Sequence, residues 1–337
     1  MDVKIALIGM GHVGISFLRL IIEKKSFLQN KFNLSLKLIA IFEFDGALID
    51  ENGIDLNELL NKKKKIRDFS NWNNGIKAKE YISKLNVHFI IEATPTNPID
   101  GEPALSHIIE SLKKGIDVVS SNKGPFYLEY KKIKNLANSK NCFVKYEATV
   151  ASCVPALSIK ENLMGCEITR IRSILNGTCN YILSRMTSEG IDFSVALKEA
   201  QELGYAEADP TLDIDGFDAA GKLVILANEL LGFTKSIKEV EIQGIRKITP
   251  QAIELAKLDG YVIKHLAIIE NEELIVEPRL VEKDSPLNIS GTLNVIELET
   301  KHAGPIILMG RGAGGLEAAS AILNDIIMIA IKRGYIK

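Results

Sequence analysis

Five carboxylates and a lysine lie close together near the middle of the 337-residue chain. The acids occupy a stretch of twelve positions, and the lysine follows four residues after the last of them: Glu207, Asp209, Asp213, Asp215, Asp218 and Lys222. Such a cluster suits a small zwitterionic substrate, because carboxylates bind its amino group while an ammonium acts on its oxygen. The stretch therefore predicts a substrate site.

Asp218 and Lys222 also share one stripe of a predicted helix. At about 100° per residue, the opposite side of that helix carries a run of apolar residues, namely Ala219, Ala220, Leu223, Val224, Leu226, Ala227, Leu230 and Leu231. A solvent-exposed i,i+4 pair has the same spacing and is worth only about 0.2–0.5 kcal/mol. Spacing alone leaves both interpretations open.

The elements that would position such a site begin at the N-terminus, in the order found in dinucleotide-binding domains. A β-rich run over 3–8 precedes the turn GMGHVG, and a helical pattern follows it. Glycines at this spacing permit the turn, let the backbone approach a pyrophosphate and let the helix pack on the strand. We expect a nicotinamide dinucleotide, NAD or NADP, at Gly9, Gly11, His12, Val13 and Gly14.

The end of the second predicted strand bears on the choice of coenzyme. The strand over 36–42 is followed by Glu43, and an acid there binds the ribose 2′-hydroxyl of NAD, whereas a 2′-phosphate requires arginine or lysine. No basic residue follows directly, and the lysine run 62–65 would have to fold back, although such runs are usually solvated. We expect NAD to be used at least as well as NADP.

Two further strands, over 87–92 and 117–121, alternate with a helix that begins near Pro103. This alternation predicts a parallel sheet, in which ligands bind at the carboxyl ends of the strands. Ser121 ends the second of these strands, and Thr94 and Lys123 lie two residues beyond the two strand ends, so we expect all three at the cofactor. For Lys123 a plain surface position is the alternative.

The second half of the chain has a different pattern. From residue 167 onward, successive strands with short turns indicate a mainly antiparallel sheet with helices on one face. The run GRGAGG then precedes a C-terminal helix, and its Gly312 and Gly314 let the backbone approach a ligand. The predicted fold class is α/β, with a Rossmann-type parallel sheet domain over 1–148, completed by 303–337, and an α+β domain with a mixed sheet over 149–302.

Composition excludes several classes of protein. Forty-one Lys and Arg against forty-three Asp and Glu give a net charge of −2, so nothing indicates nucleic acid or an anionic membrane surface as a partner. No apolar run reaches the ~18 residues that span a bilayer. The four cysteines form no CxxC pair and indicate no disulfide framework. We expect a cytoplasmic protein with reduced cysteines.

Eight motifs together resemble homoserine dehydrogenases along nearly the whole chain: GMGHVG, ATPTNP, GEPALSHI, SNKGP, YEATVASCVPAL, LNGTCNYIL, GYAEADPTLDIDGFDAAGKLVIL and GRGAGG. The resemblance implies reversible NAD(P)-dependent reduction of L-aspartate 4-semialdehyde to L-homoserine, on the route to threonine and methionine. It also implies that the second domain is catalytic and forms a homodimer. We expect no C-terminal regulatory domain, since the chain stops soon after the glycine run and its helix.

The resemblance also implies roles for individual residues of the site. The catalytic residues are Lys222, Lys123 and Asp218, and the substrate-binding residues are Glu207, Asp213, Gly177 and Thr178.

A turn of small residues follows a strand predicted over 142–147. Its Glu147, together with neighbouring carbonyls, suits a hard cation, or the turn caps a helix. The resemblance implies a monovalent cation, Na⁺ or K⁺, held by Glu147 and the carbonyls of Val150, Ser152 and Val154. The chain departs from the family here, because ASC at 151–153 stands where glycines are frequent.

Two other functions fit part of the sequence. A semialdehyde dehydrogenase would oxidise the aldehyde through a thioester on Cys153 or Cys179, although no histidine lies near either in sequence. A redox sensor would use the dinucleotide domain alone and would leave the central acids and lysine without a role.

Overall fold

The structure is a computed structural model that describes residues 2–61 and 65–336. The chain forms two compact units, one made of Met1–Ser152 with Gly314–Lys337 and the other of Cys153–Ala313. Within the described residues, none of the helices combines the length and apolar character needed to cross a bilayer.

The first unit is built around a seven-stranded sheet with helices between its strands. Up to the chain's entry into the second unit, its elements are β1 (Asp2–Ile8), α1 (His12–Glu23), α2 (Lys25–Phe32), β2 (Ser35–Glu43), β3 (Gly46–Ile49), α3 (Leu56–Leu59), β4 (Trp72–Asn74), α4 (Ala78–Tyr81), β5 (Phe89–Glu92), α5 (Ala104–Lys114), β6 (Asp117–Ser120), α6 (Gly124–Leu128), α7 (Tyr130–Ser139) and β7 (Val144–Lys145).

The strand order is β4-β3-β2-β1-β5-β6-β7, and the last five strands of that order are parallel. The register sets Ile8 of β1 opposite Phe42 on one side and Glu92 on the other, and Glu92 opposite Ser120. The carboxyl ends of four strands therefore finish at one level. The chain continues from β1 to β2 on one side of β1 and later to β5 on the other side. The carboxyl end of β1 is therefore the topological switch point, the place where open parallel sheets bind ligands.

The predicted parallel sheet is confirmed, with two differences. Strands β3 and β4 extend the β2 edge in the antiparallel sense and were not predicted. The strand predicted over 142–147 shortens to β7, because Glu147–Thr149 forms a 3₁₀ turn.

The second unit contains a six-stranded mixed sheet in the order β13-β12-β8-β10-β11-β9. Its elements in chain order are β8 (Ile168–Ile174), α8 (Gly177–Glu189), α9 (Phe193–Glu202), α10 (Thr211–Ile214), α11 (Phe217–Leu230), β9 (Val240–Ile242), α12 (Pro250–Leu258), β10 (Tyr261–Glu270), β11 (Glu273–Glu282), β12 (Leu293–Thr300) and β13 (Gly304–Arg311). Only the β9–β11 pair is parallel among these described strands.

Helices cover one face of this second sheet, as predicted. Ile263 of β10 shares a core with Met186 of α8, whereas the adjacent Val262 packs with Leu287 and Ile289, which lie between β11 and β12. Successive residues of a strand point to opposite faces. The segment between β11 and β12 therefore covers part of the face opposite the helices.

Strand β13 corrects one predicted domain boundary. It pairs with β12 along its whole length, so 303–313 belongs to the second unit, and the boundary predicted after 302 is wrong for that reason. The first boundary falls after Ser152 rather than after 148. The last helix, α13 (Gly315–Lys332), belongs to the first unit, where Ile322 and Ile326 share a core with Phe17 and Leu18 of α1.

Candidate active site

Lys222 and Asp218 form a buried pair on α11 in the second unit. The Lys222 side chain is 10% exposed and that of Asp218 is 12% exposed. Lys222 Nζ donates to Asp218 Oδ2 at 2.7 Å and to the carbonyl oxygen of Leu175, just beyond β8, at 2.6 Å. A pair so poorly solvated is not a surface ion pair, and that alternative interpretation of the spacing is wrong.

Asn176 connects this pair to a second carboxylate. Its Oδ1 caps α8 by accepting from the backbone N–H of Cys179 at 2.8 Å. Its Nδ2 donates to Asp213 Oδ1 at 2.6 Å and to Asp218 Oδ2 at 2.9 Å. One amide group thus holds α10 and α11 together at the start of α8. Sequence reasoning missed Asn176, although an asparagine before Gly-Thr at a helix start is typical of an N-cap.

Gly177 and Thr178, both predicted to bind the substrate, lie in the first turn of α8. Thr178 Oγ1 donates to the carbonyl oxygen of Tyr205 at 2.8 Å and lies 3.4 Å from Asp213 Oδ2. A Cβ on Gly177 would lie 2.7 Å from the carbonyl oxygen of Thr292, so only glycine permits this approach.

The other three acids of the central stretch are engaged differently. Asp215 Oδ1 accepts from Arg246 Nε at 2.5 Å, and Asp209 Oδ1 accepts from the N–H of Thr211 at 3.1 Å. Glu207 lies in an exposed segment. The structure therefore brings together Asp213, Asp218 and Lys222 but places Glu207 in a solvent-exposed stretch, and its predicted substrate role stays a prediction.

Cys179 is unsuited to be a nucleophile. Its thiol is fully buried and donates to the carbonyl oxygen of Asp213 at 3.2 Å. Burial and the nearby carboxylates of Asp213 and Asp218 raise the pKa of Cys179 well above its usual value. Because the thiolate is the reactive form, the thioester route through Cys179 fails.

The glycine turn of the first unit shows which glycines the fold needs. Gly9 has φ +93°, and a Cβ there would lie 2.8 Å from the carbonyl oxygen of Ala93. A Cβ on Gly14 would lie 2.3 Å from the carbonyl oxygen of Gly9, whereas a Cβ on Gly11 would meet no atom of the described residues within 4 Å. Packing thus requires Gly9 and Gly14, while Gly11 leaves space outside the helix.

The start of α1 has the properties of an anion site. Among the residues that the structure describes, no side chain caps it, and its first turn, which includes His12 and Val13, holds no acid. The N–H groups and dipole of such a helix end attract negative charge. A pyrophosphate fits here, with Gly11 leaving room for its approach.

The end of β2 holds both an acid and an arginine. Glu43 Oε1 accepts the N–H of Met10 in the glycine turn at 2.5 Å. Nearby, Arg67 Nε donates to Asp45 Oδ2 at 2.6 Å, which lowers the pKa of Asp45, and its guanidinium lies 5.9 Å from the centroid of the Phe44 ring. Arg67 was missed because it follows β2 by more than twenty positions. Of the lysine run, 62–64 lies outside the described residues.

The remaining predicted cofactor residues divide between the units. Ser121, Lys123 and Thr94 lie beyond β6 and β5 in the first unit, where Lys123 is the residue before α6. Gly314 precedes α13 in the same unit, but Gly312 belongs to the second. A Cβ on Gly312 would lie 2.0 Å from the side-chain amide of Asn294, so internal packing already accounts for this glycine.

The candidate cation turn keeps a glycine-like backbone without glycine. Ala151 and Ser152 have φ of +54° and +53°, a conformation that costs a side-chain-bearing residue roughly 1–2 kcal/mol. Glu147 is 7% exposed, and its N–H donates to Asp325 Oδ2 at 2.9 Å. Across 2–61 and 65–336, no three His, Cys, Asp or Glu side chains gather as a metal site, and the cation predicted here would use one carboxylate, Glu147, together with carbonyl oxygens.

Comparison with known proteins gives one consistent result. The family model for homoserine dehydrogenase matches residues 155–327. The chain is 44% identical over 329 residues to the homoserine dehydrogenase of Methanocaldococcus jannaschii, covering 96% of this chain and 98% of that protein. It is 36% identical to the NAD(+)-dependent homoserine dehydrogenase of Pseudomonas canavaninivorans, covering 97% and 96% of the two chains. A hyperthermophilic archaeal homoserine dehydrogenase solved with NADPH has a similar structure, with a TM-score of 0.85, 29% identity and 98% of each chain covered.

Two glycine substitutions should separate folding from dinucleotide binding. We expect Gly14→Ala to lower the free energy of unfolding by about 1–3 kcal/mol, because its methyl group meets the Gly9 carbonyl. Gly11→Ala should change stability by under about 0.5 kcal/mol yet weaken NADH binding at least about tenfold, roughly 1.4 kcal/mol. Urea unfolding and fluorescence titration with NADH measure the two effects. Unchanged NADH affinity in Gly11→Ala would contradict the assignment of the turn.

Proposed function

The chain belongs to the homoserine dehydrogenase family, and from that premise we propose that Lys222 and Asp218 act directly on the reacting oxygen of its substrate. The enzyme catalyses the reversible NAD(P)-dependent reduction of L-aspartate 4-semialdehyde to L-homoserine, in threonine and methionine biosynthesis. The observation that carries the residue assignment is the buried Lys222 ammonium, held by Asp218 and by the Leu175 carbonyl.

In the direction of reduction, negative charge develops on the aldehyde oxygen. Lys222 stabilises that charge and delivers the proton that makes it a hydroxyl group. Asp218 keeps the lysine charged and oriented. When bound, the nicotinamide cofactor supplies the hydride. In the reverse direction Lys222 takes the proton back from the homoserine hydroxyl group.

Two acids are assigned to the amino group of the substrate. Asp213 is held in place by Asn176, beside Thr178, and a fixed carboxylate is a good partner for an ammonium. Glu207 is the second, from its exposed segment. Lys123 is assigned by motif as the further catalytic lysine, at the carboxyl end of β6.

The first unit is assigned to the cofactor. The uncapped start of α1 holds the pyrophosphate and Glu43 lies where a ribose hydroxyl group binds. A monovalent cation is assigned to Glu147 with the carbonyls of Val150, Ser152 and Val154, which would explain why Ala151 and Ser152 keep a strained conformation.

A homodimer formed by the second unit is supported by exposed apolar side chains on strand β13. Ile307 and Met309 lie two positions apart on one face of this strand and are 37% and 58% exposed, and neighbouring exposed apolar groups mark interaction surfaces. None of the described cysteines forms a disulfide, in keeping with a reducing cytoplasm.

One set of assays tests these proposals together. Homoserine-dependent reduction of NAD and of NADP is measured side by side, with and without added Na⁺ or K⁺, and sedimentation equilibrium gives the mass of the particle. We expect activity with both coenzymes, stimulation by one of the cations and a dimer. Rates indifferent to both cations would remove the cation assignment, and a monomeric mass would remove the dimer.

Lys222→Ala should lower the stability, because the buried Asp218 carboxylate loses its partner, but the variant should still fold and bind the cofactor normally. Its kcat should fall by ~10²–10⁴, the usual contribution of a positioned acid or base. Asp218→Asn should act in the same direction and less than additively with it, because the two groups work as a unit. Steady-state kinetics on the single and double variants, with circular dichroism as the folding control, measure this. Near-native kcat in folded Lys222→Ala would rule out Lys222 as the group that protonates the substrate oxygen.

Arg67 should determine how well NADP is used. Its guanidinium lies at the end of β2 beside Asp45 and Phe44, where it can pair with a 2′-phosphate. We expect Arg67→Ala to raise KM for NADP about tenfold or more, which is the effect of losing one charged hydrogen-bond partner of the 2′-phosphate. KM for NAD should change less than threefold, because NAD has no 2′-phosphate.

Lys65→Ala is the matched control, since it removes a described lysine of the run 62–65 and keeps Arg67. It should leave both coenzymes unaffected. If instead Lys65→Ala selectively weakens NADP, or Arg67→Ala affects both coenzymes equally, this role of Arg67 is ruled out.

A further inference from the structure

A carboxylate without any solvent exposure lies at the carboxyl end of β5, the middle one of the five parallel strands. Glu92 is 0% exposed and lies opposite Ile8 of β1 and Ser120 of β6. Buried charges persist only when they are paired and hydrogen-bonded. Nothing in the reaction itself uses this carboxylate, so its partners indicate what it does.

Both oxygens of Glu92 are engaged. Oε1 accepts from the backbone N–H of Thr94 at 2.8 Å and also from the Thr94 hydroxyl group. Oε2 lies 2.7 Å from Nδ1 of His107, a buried residue of α5, and an ionised carboxylate can only accept, so His107 donates. The carboxylate therefore ties the turn after β5 to the helix that follows it.

Asn122 extends this network to the turn after β6. Its Nδ2 donates to the carbonyl oxygens of Thr94 and Pro95, both at 3.0 Å, and lies 3.2 Å from Thr94 Oγ1. Its Oδ1 accepts from the N–H of Gly124 at 3.0 Å. The residue between Asn122 and Gly124 is Lys123. The two strand-end turns are thus held in one arrangement by four side chains, all in the first unit.

We propose that Glu92 and His107 are positioning residues that fix Thr94 and the Lys123 turn for the nicotinamide end of the cofactor. Because the Thr94 hydroxyl hydrogen is committed to Glu92, towards a ligand this oxygen is an acceptor only. An acceptor suits the N–H of a carboxamide group. The inference rests on the proposed cofactor site of the first unit.

His107→Leu tests the proposal, because it removes the donor to Oε2 and keeps an apolar side chain in α5. We expect the Kd for NADH, from fluorescence titration, to rise about tenfold, while KM for homoserine changes less than twofold. The preference in kcat/KM for NAD over its 3-acetylpyridine analogue, which lacks the amide N–H, should fall at least fivefold. His107→Gln, which can still donate, should restore a large part of both.

Ile108→Val is the matched control. It removes one methyl group from the buried neighbour of His107 on the same helix, and it should lower the melting temperature without changing NADH affinity or the coenzyme preference. Should His107→Leu fail to fold, Glu92→Gln replaces it, since one of the two partners of Glu92 then loses its acceptor. Like His107→Leu, Glu92→Gln should raise the Kd for NADH and lower the preference for NAD over the 3-acetylpyridine analogue.

NADH affinity and coenzyme preference within twofold of wild type in folded His107→Leu or Glu92→Gln would show a purely structural role and overturn the proposal. Failure of the proposed function would look different. Wild-type protein would then bind NADH without any turnover of homoserine, and the NADH titrations would still test Glu92 and His107.

Discussion

A buried ammonium group requires an opposite charge and hydrogen-bond acceptors within direct contact, and this requirement organises the second unit. Removing one partner of a buried charge pair costs about 3–5 kcal/mol, because the other charge is left uncompensated. For Lys222 the compensation comes from Asp218, one turn earlier on α11, and from the Leu175 carbonyl beyond β8. Asn176 then holds Asp218 to Asp213. The end of β8 and the starts of α8, α10 and α11 are therefore fixed by a few charge-assisted hydrogen bonds.

The first unit depends on steric fit instead. In its glycine turn the Ala93 carbonyl packs against Gly9 and the Gly9 carbonyl packs against Gly14, too closely for a Cβ at either glycine. These contacts position α1 against the sheet. Gly11 is exempt from this fit. Its conformation, with φ −76°, is one that any residue adopts. The fold therefore does not require glycine at this position, and the missing side chain instead leaves room for a ligand at the start of α1.

Local patterns in the sequence predicted the elements well, since strand alternation, helical periodicity and glycine spacing act over a few residues. The i,i+4 spacing of Asp218 and Lys222 was also readable, but their burial was not, because it depends on β8 and α8 packing around them. Arg67 and β13 were missed for the same kind of reason. Arg67 approaches Asp45 only through the fold, and β13 is defined by its pairing with β12. Asn176 was within reach, because an asparagine N-cap is a local signal.

The second unit interrupts the first, which resumes only with α13. Since Ala319, Ile322 and Ile326 complete the core around Phe17 and Leu18, that core lacks part of its apolar surface until the last helix has been made. Because translation proceeds from the N-terminus, the inserted second unit is fully translated before α13, the helix that completes the core of the first unit. Of the two units, the one whose sequence starts earlier therefore completes its core later.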